Sequence, residues 1–369
     1  MEKRMSKVLF LLLLAVSVLS NVADGKAKDR ATLSGIDWKL KLLNKPAVKS
    51  IKSEDGDIID CVDINKQPAF DHPALRNHKI QMRPSFDLPT EKLDTRNESS
   101  QPVIQQTWQK SGSCPEGTSA ILVTEGQYYC GAQGYINLRN PTVDLPDDYT
   151  TAQIWLKAGT GEIYESIEAG WMVNPKLYGD RESRLFVYWT KDSYKTTGCF
   201  DTTCAGFVLT QHKLALGVGL HPLSSSEGPQ RFLPIGIYQD DTGNWWLKVG
   251  QNYEVVVGYW PKELFAYLWR SASLVEWGGE VYSQNVRNRP PHTKTQMGSG
   301  SFAQTLEGSA ASIQQVRIMD STTRKLKYPE WVGTGSDEQY CYSALNHVHG
   351  NNVEPVFYFG GPGQGPQCM

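Results

Sequence analysis

From about residue 119 onward, apolar and polar positions alternate in short runs separated by Gly, Pro, Asn and Asp clusters, the pattern of strands and turns. In 163–173, Ile163, Ile167, Ala169, Trp171 and Val173 share one parity and Tyr164, Ser166, Glu168 and Gly170 the other, so Glu168 points away from an apolar face. In 274–282 the same rule places Val275, Trp277 and Val281 on one face and Glu276, Gly278, Glu280 and Tyr282 on the opposite one. Further strands are predicted at 119–124, 153–156, 184–190, 207–210, 232–238, 245–249, 253–260, 311–319 and 356–359. Helical spacing occurs only at 262–269, where Leu264, Phe265 and Leu268 follow Pro261. Many strands without interleaved helices predict an all-β fold, an antiparallel β-sandwich.

The first third of the chain has a different texture. Lys3, Arg4 and Lys7 precede the apolar run 8–19, and small residues follow at Ala23 and Gly25. This describes a signal peptide over 1–25 and a secreted product, destined for the extracellular space, the cell wall or the vacuole. Residues 26–95 are rich in Lys, Asp and His, with one strand at 58–62 and a short helix within 40–51 interrupted by Pro46. So few apolar residues predict a leader that does not fold unaided. Residues 96–113 carry Pro102, the Ser99-Ser100 pair and the sequon Asn97-Glu98-Ser99, and read as an exposed linker with Asn97 as a glycosylation site. Residues 114–369 then form the sandwich domain, so the order is that of a proenzyme.

Composition narrows the partners. The formal net charge of −2 offers no footprint for nucleic acid or an anionic membrane, and neither is expected. Seven cysteines in a secreted chain imply disulfides with one thiol left over. Cys199 and Cys204 enclose a tight loop, and Cys341 with Cys368 would tie the C-terminal tail; chain entropy assigns these roughly 2 and about 3.6 kcal/mol. Cys61, Cys114 and Cys130 are left without an assignment. There is no Gly-x-Ser-x-Gly, Walker loop or dinucleotide fingerprint, and Gly298-Ser299-Gly300-Ser301 reads as a turn. His347 and His349 can share a strand face but lack a third ligand, so neither metal nor cofactor is expected.

That leaves the carboxylates. A lone strand glutamate is more often a solvated surface group. Here both sit beside aromatic and glycine residues, Gly170-Trp171 and Trp277-Gly278-Gly279, a setting that desolvates an acid, raises its pKa and leaves room for another backbone. Two acids in different proton states can work together, one activating water and the other donating a proton. The candidate groove therefore comprises Glu168 and Glu280 with Gly170, Trp171, Tyr188, Trp277, Gly278 and Tyr282, with Tyr188 or Tyr282 as oxyanion donor.

Several blocks make the chain recognisable. Ile167-Glu168-Ala169-Gly170-Trp171, Leu177-Tyr178-Gly179-Asp180, Tyr188-Trp189-Thr190, Gly243-Asn244-Trp245-Trp246, Gly258-Tyr259-Trp260-Pro261, Trp277-Gly278-Gly279-Glu280 and Gln296-Met297-Gly298-Ser299-Gly300 occur in the order found in the neprosin family of secreted plant peptidases. Gln67-Pro68-Ala69-Phe70-Asp71-His72-Pro73 resembles that family's activation peptide. The resemblance implies a glutamic peptidase with catalytic residues at Glu168 and Glu280, disulfides Cys199–Cys204 and Cys341–Cys368, and the propeptide as intramolecular inhibitor. It further implies acid maturation and cleavage after proline of peptide or protein substrates, proline-rich ones included. Pro84, Pro89 and Pro102 lie where such an enzyme would release its own leader. The chain departs from many relatives at Ser301, where they carry His, and at Phe200-Asp201-Thr202-Thr203, where they carry Tyr-Asn-Leu. Two other classes fit a pair of sheet carboxylates: a glycoside hydrolase, and a non-catalytic wall or lectin-like binding module.

Overall fold

The computed structural model describes residues 45–53, 56–86, 117–124, 128–160, 163–287, 289–350 and 353–369. The signal peptide, the linker 96–113, Asn97 and Cys114 lie outside the described residues. The chain divides into two compact units, up to Lys66 and Gln67–Met369.

In the first unit, β1 (Ala47–Lys52) pairs antiparallel with β2 (Ile58–Val62). The described part of the expected 40–51 helix is therefore a strand. Pro46 disfavours a helix there, and the backbone groups of β2 need a ladder partner. The turn closes with Ser53 N–H donating to Asp57 O at 2.9 Å and Gly56 at φ +97°.

The second unit holds sixteen further strands among the described residues: β3 (Gly117–Thr124), β4 (Tyr129–Asn137), β5 (Tyr149–Thr160), β6 (Ile163–Val173), β7 (Arg184–Thr190), β8 (Cys199–Phe200), β9 (Val208–Leu209), β10 (Phe232–Gln239), β11 (Trp245–Val249), β12 (Val255–Trp260), β13 (Leu274–Tyr282), β14 (Ala311–Asp320), β15 (Leu326–Lys327), β16 (Val332–Ser336), β17 (Ser343–His347) and β18 (Val356–Gly360). One sheet runs β16-β3-β13-β5-β6-β7-β8 and the other β17-β18-β14-β4-β10-β11-β12-β9, with β15 beside β14, all antiparallel. The all-β sandwich is thus as the alternation predicts. Its core is the shared apolar layer of Trp171, Trp277, Ile154, Ile167, Trp245 and Trp260, each fully buried. Trp171 Nε1–H donates to Asn137 O at 2.9 Å and Trp277 Nε1–H to Gln133 O at 3.0 Å, so two indoles of the first sheet are pinned to β4 of the second.

Two departures from the pattern have local causes. The predicted helix at 262–269 is only a 3₁₀ turn at Lys262–Leu264. Glu165, 1% exposed on the inward parity of β6, accepts the backbone N–H groups of Ala266, Tyr267 and Leu268 at 2.6, 2.8 and 2.8 Å, which diverts them from helical bonding. Strand β4 is missed by the alternation rule because it is buried on both faces and carries Gly131 and Gly134. A Cβ at Gly131 would meet Tyr238 Cδ1 at 2.7 Å and one at Gly134 Ile313 Cγ2 at 2.9 Å, so these glycines make room for neighbours and do not break the strand.

The leader segment 67–86 belongs to the second unit. Gln67 pairs its side-chain amide with both backbone groups of Leu209 (2.8 and 3.2 Å), completing the edge strand β9. Ala69, Phe70 and Ile80 pack on Val208, Trp246 and Tyr259, side chains on the outer face of the second sheet. Asp240, 2% exposed, accepts from Gln81 Nε2 at 2.7 Å, Ser85 N at 3.1 Å and Trp246 Nε1 at 3.0 Å, and Phe86 closes over Cys130, Tyr238 and Met319. Hydrogen bonds to a charged group contribute about 1.5–3 kcal/mol each. Asp240→Ala is therefore expected to cost roughly 3 kcal/mol in denaturant unfolding and to accelerate amide exchange across 78–86. Unchanged exchange in that stretch would remove Asp240 as its anchor.

Candidate active site

Three neighbouring strands supply the site. Gln153 on β5 stands opposite Gly170 of β6 and Gly278 of β13. Glu168 is level with Trp155 and Glu280 with Thr151, so each carboxylate lies one strand to the side of Gln153 and two residues along from it, in opposite directions. Side-chain alternation puts all three on the outer face, away from the tryptophans. They share one pocket of about 140 Å³ with Tyr149, Thr151, Phe186, Tyr188, Tyr194, Phe200 and Tyr282. Tyr149 and Tyr282 stack at 5.0 Å with planes 4° apart, and Tyr188 lies 4.5 Å from Phe200.

The glycines flanking Gln153 serve the sheet itself. A Cβ at Gly170 would meet Ala152 O at 2.0 Å, and one at Gly278 (φ +155°) Ala120 O at 2.2 Å. Gly117 has a different role: a Cβ there would stand 2.7 Å from Glu280 Oε1, so its bare backbone is what the Glu280 carboxyl lies against.

The two carboxyls are held unequally. Glu168, 4% exposed, accepts from Ser166 Oγ at 2.8 Å, from Gln153 Nε2 at 3.0 Å and from the Tyr194 hydroxyl. Tyr194 arrives on the β7–β8 loop, whose Ser193 and Tyr194 have φ of 56° and 62°, uncommon for non-glycine residues. The loop is held by Ser193 N–H to Tyr164 O at 2.9 Å and by Asp192 accepting from the Thr196 and Thr197 amides. Desolvation raises the Glu168 pKa, opposed by Tyr194, Lys157, Ser166 and Gln153. Glu280 is pushed up to about 8, by desolvation first and then by the Glu168 charge. Its side chain keeps some accessible surface, so the upward direction rests on both causes together. The donors around Glu168 favour its charged form, whereas burial and the Glu168 charge favour the neutral form of Glu280.

Of the predicted groove residues, Tyr188 and Tyr282 line the pocket, and Gly170 and Gly278 lie beneath it in the sheet. Trp171 and Trp277 do not belong to the groove: both are fully buried on the opposite face, because residues three apart on a strand point to opposite sides. Desolvation of the acids comes from the tyrosines and phenylalanines of the pocket. Thr151 and Tyr149 lie outside the predicted strand 153–156, whereas β5 starts at Tyr149; Gln153 is the first residue of that predicted strand, and nothing in its local sequence marks an amide as the neighbour of two distant acids. Tyr194 has no local signal, since a turn delivers it.

Both expected disulfides are present, Cys199–Cys204 and Cys341–Cys368. The first encloses Phe200, a pocket wall, and Asp201, so this loop forms part of the groove. Asp201 Oδ1 accepts Val187 N–H at 3.0 Å and Oδ2 the Tyr178 hydroxyl at 2.8 Å. Cys130 is buried, its thiol pushed up to about 11, and Cys61 is partly buried; both are free. His347 and His349 lie with rings 4.6 Å apart, His349 Nε2 bonded to Tyr358 Oη at 2.9 Å.

Burial raises Asp201 from 3.8 to about 7. A folded-state pKa above the unfolded one means that the native protein binds the extra proton. The resulting stability is complete below about pH 4 and is lost as pH rises through about 7, and Glu280 extends the window to about 8. The urea midpoint is therefore expected to fall from pH 4.5 to pH 8, and Asp201→Asn is expected to flatten that fall. A midpoint that rises over this range would contradict the assignment.

Comparison with known proteins places these features in context. The neprosin family model matches residues 146–362, which contain both glutamates, and the model of the neprosin activation peptide matches residues 50–132. Among solved structures, scytalido-glutamic peptidase with a peptide-based transition-state analogue is similar at 9% identity and a TM-score of 0.38, over 67% of this chain and 98% of that one. The same peptidase with another transition-state analogue inhibitor gives 10% identity and a TM-score of 0.37, over 66% and 97%. A β-porphyranase from the human gut bacterium Bacteroides plebeius gives 6% identity and 0.23, over 44% and 54%. With the family match covering more than half of the chain, the chain belongs to the neprosin family and carries that family's activation peptide, whose match runs into strands β3 and β4 of the sandwich.

Proposed function

We propose that the chain is the precursor of a secreted glutamic endopeptidase that hydrolyses peptide bonds on the acid side of neutrality. The observation that carries this reading is the unequal carboxyl pair on one face: Glu168 accepts from three donors, and Glu280, at the other end of the same pocket, is pushed up to about 8 by burial and the Glu168 charge, so we assign the ionised role to Glu168 and the protonated one to Glu280. Glu168 takes a proton from water as the water oxygen bonds to the scissile carbonyl carbon, and the carbonyl electron pair moves onto its oxygen, which receives the Glu280 proton. Collapse then breaks the carbon–nitrogen bond: the departing nitrogen takes the proton from Glu168 and a hydroxyl proton returns to Glu280. One water is consumed, and an acid and an amine are released.

The stacked Tyr149–Tyr282 pair, with Phe186, Tyr188 and Phe200, forms flat apolar walls beside the acids, which supports a proline ring in the residue before the cut. Membership in a family with an activation peptide supports latency until the leader is cleaved.

Mass spectrometry of peptides cut by the acid-treated full chain tests both activity and the residue before each cut. Glu168→Gln and Glu280→Gln should each lower kcat by about 10³-fold or more with unfolding midpoints retained. The pH profile should rise as Glu168 ionises and fall as Glu280 loses its proton near 8. Either variant keeping full turnover rejects the assignment.

A further inference from the structure

Between the two glutamates the pocket holds an amide side chain, Gln153. Gln153 is 1% exposed, on the central strand β5, between the strands carrying the two glutamates. Glu168 as a carboxylate can only accept, so the amide must present Nε2 to it, as observed at 3.0 Å. That leaves Oε1 as a buried acceptor lacking a hydrogen-bond partner in the pocket, with the unpartnered Thr151 hydroxyl next along the same face. Leaving a buried amide oxygen unpaired is costly, and such atoms call for an explanation in ligand or solvent. The register supplies a reason: on a sheet with strands about 4.8 Å apart and residues about 3.3 Å apart, Gln153 is the midpoint of the diagonal from Glu168 to Glu280.

We propose that Gln153 is a third catalytic residue, its Nε2 fixing the Glu168 carboxylate and its Oε1 accepting one hydrogen of the attacking water at the centre of that diagonal. The water then faces two acceptors, Glu168 for the proton it gives up and Gln153 for the hydrogen it keeps, which aims an oxygen lone pair at the carbonyl carbon. Gln153 itself gains and loses nothing in the step. This inference rests on the peptidase reading and adds to it the group that positions the nucleophile. The titratable groups around Gln153 are Glu168, Tyr188 and Tyr194 on one side and Glu280 and Tyr282 on the other, with Tyr149 on its own strand and the Lys157–Glu276 pair further along the face.

The test uses the full chain, acid-treated, on a fluorogenic peptide with proline before the reporter bond. Gln153→Leu keeps the volume and removes both amide atoms; Gln153→Asn keeps the amide and shortens its reach. For both, kcat is expected to fall about 10²-fold with KM within a few-fold. In Gln153→Leu the acid limb of kcat/KM should also move to higher pH, because Glu168 loses a donor that favours its charge. Both variants within about threefold of the parent kcat, on an unshifted acid limb, would overturn the proposal. A parent chain that cleaves no peptide would defeat the peptidase reading. A carbon-13 carboxyl titration then decides on Gln153: an upward shift of Glu168 in Gln153→Leu supports its coupling to that carboxylate, and an unmoved titration overturns it.

Discussion

Two indole hydrogen bonds across the sandwich set the geometry on which the site depends. Trp171 and Trp277 each donate to a carbonyl of β4 on the facing sheet, and each lies three residues from a glutamate on its own strand. Because side chains alternate with period two, fixing an indole inward fixes the glutamate three positions away outward. A slip of one residue would turn both carboxyls into the apolar layer, where an unpaired charge costs several kcal/mol. The tryptophans are therefore register pins for Glu168 and Glu280, although they never touch the pocket.

What makes two outward carboxyls into a chemical pair is their unequal surroundings. Ser166, Gln153 and Tyr194 surround Glu168 with donors, whereas Glu280 leans on the bare backbone of Gly117 beneath aromatic walls. Donors favour the charged form at Glu168, and desolvation beside the Glu168 charge favours the neutral form at Glu280. Glu165 shows the contrast on the same strand. Its carboxylate is spent on three backbone amides of the 266–268 turn, a structural role reached by pointing the other way.

The leader segment 67–86 uses a different part of the sandwich. Its polar anchors are Leu209 and Tyr259 on the second sheet and Asp240 just past the end of β10, and its apolar residues cover Trp246 and Tyr259 on that sheet's outer face. Trp245 and Trp246 divide the work by parity: the first fills the shared core, the second receives the leader. The segment also reaches the first sheet, where His72 meets Trp189 of β7 edge-on at 5.7 Å.

Alternation along the chain was enough to establish the sandwich, the strand bounds at 163–173, 184–190, 245–249 and 274–282, and the outward direction of Glu168 and Glu280, because those properties follow from local period and composition. The same alternation already placed Trp171 and Trp277 inward, yet their nearness in sequence to the acids suggested a shared groove that the strand geometry excludes. Tertiary structure alone decided the rest. It brought Gln153 between two strands more than 100 residues apart in the chain, swung Tyr194 over Glu168 from a loop, replaced a helix with a turn capped by Glu165, and made β4, glycine-bearing and buried on both faces, the strand to which both indoles are pinned. Each of these depends on a contact between distant segments, and a window of neighbouring residues carries no information about which distant group will be there to accept or donate.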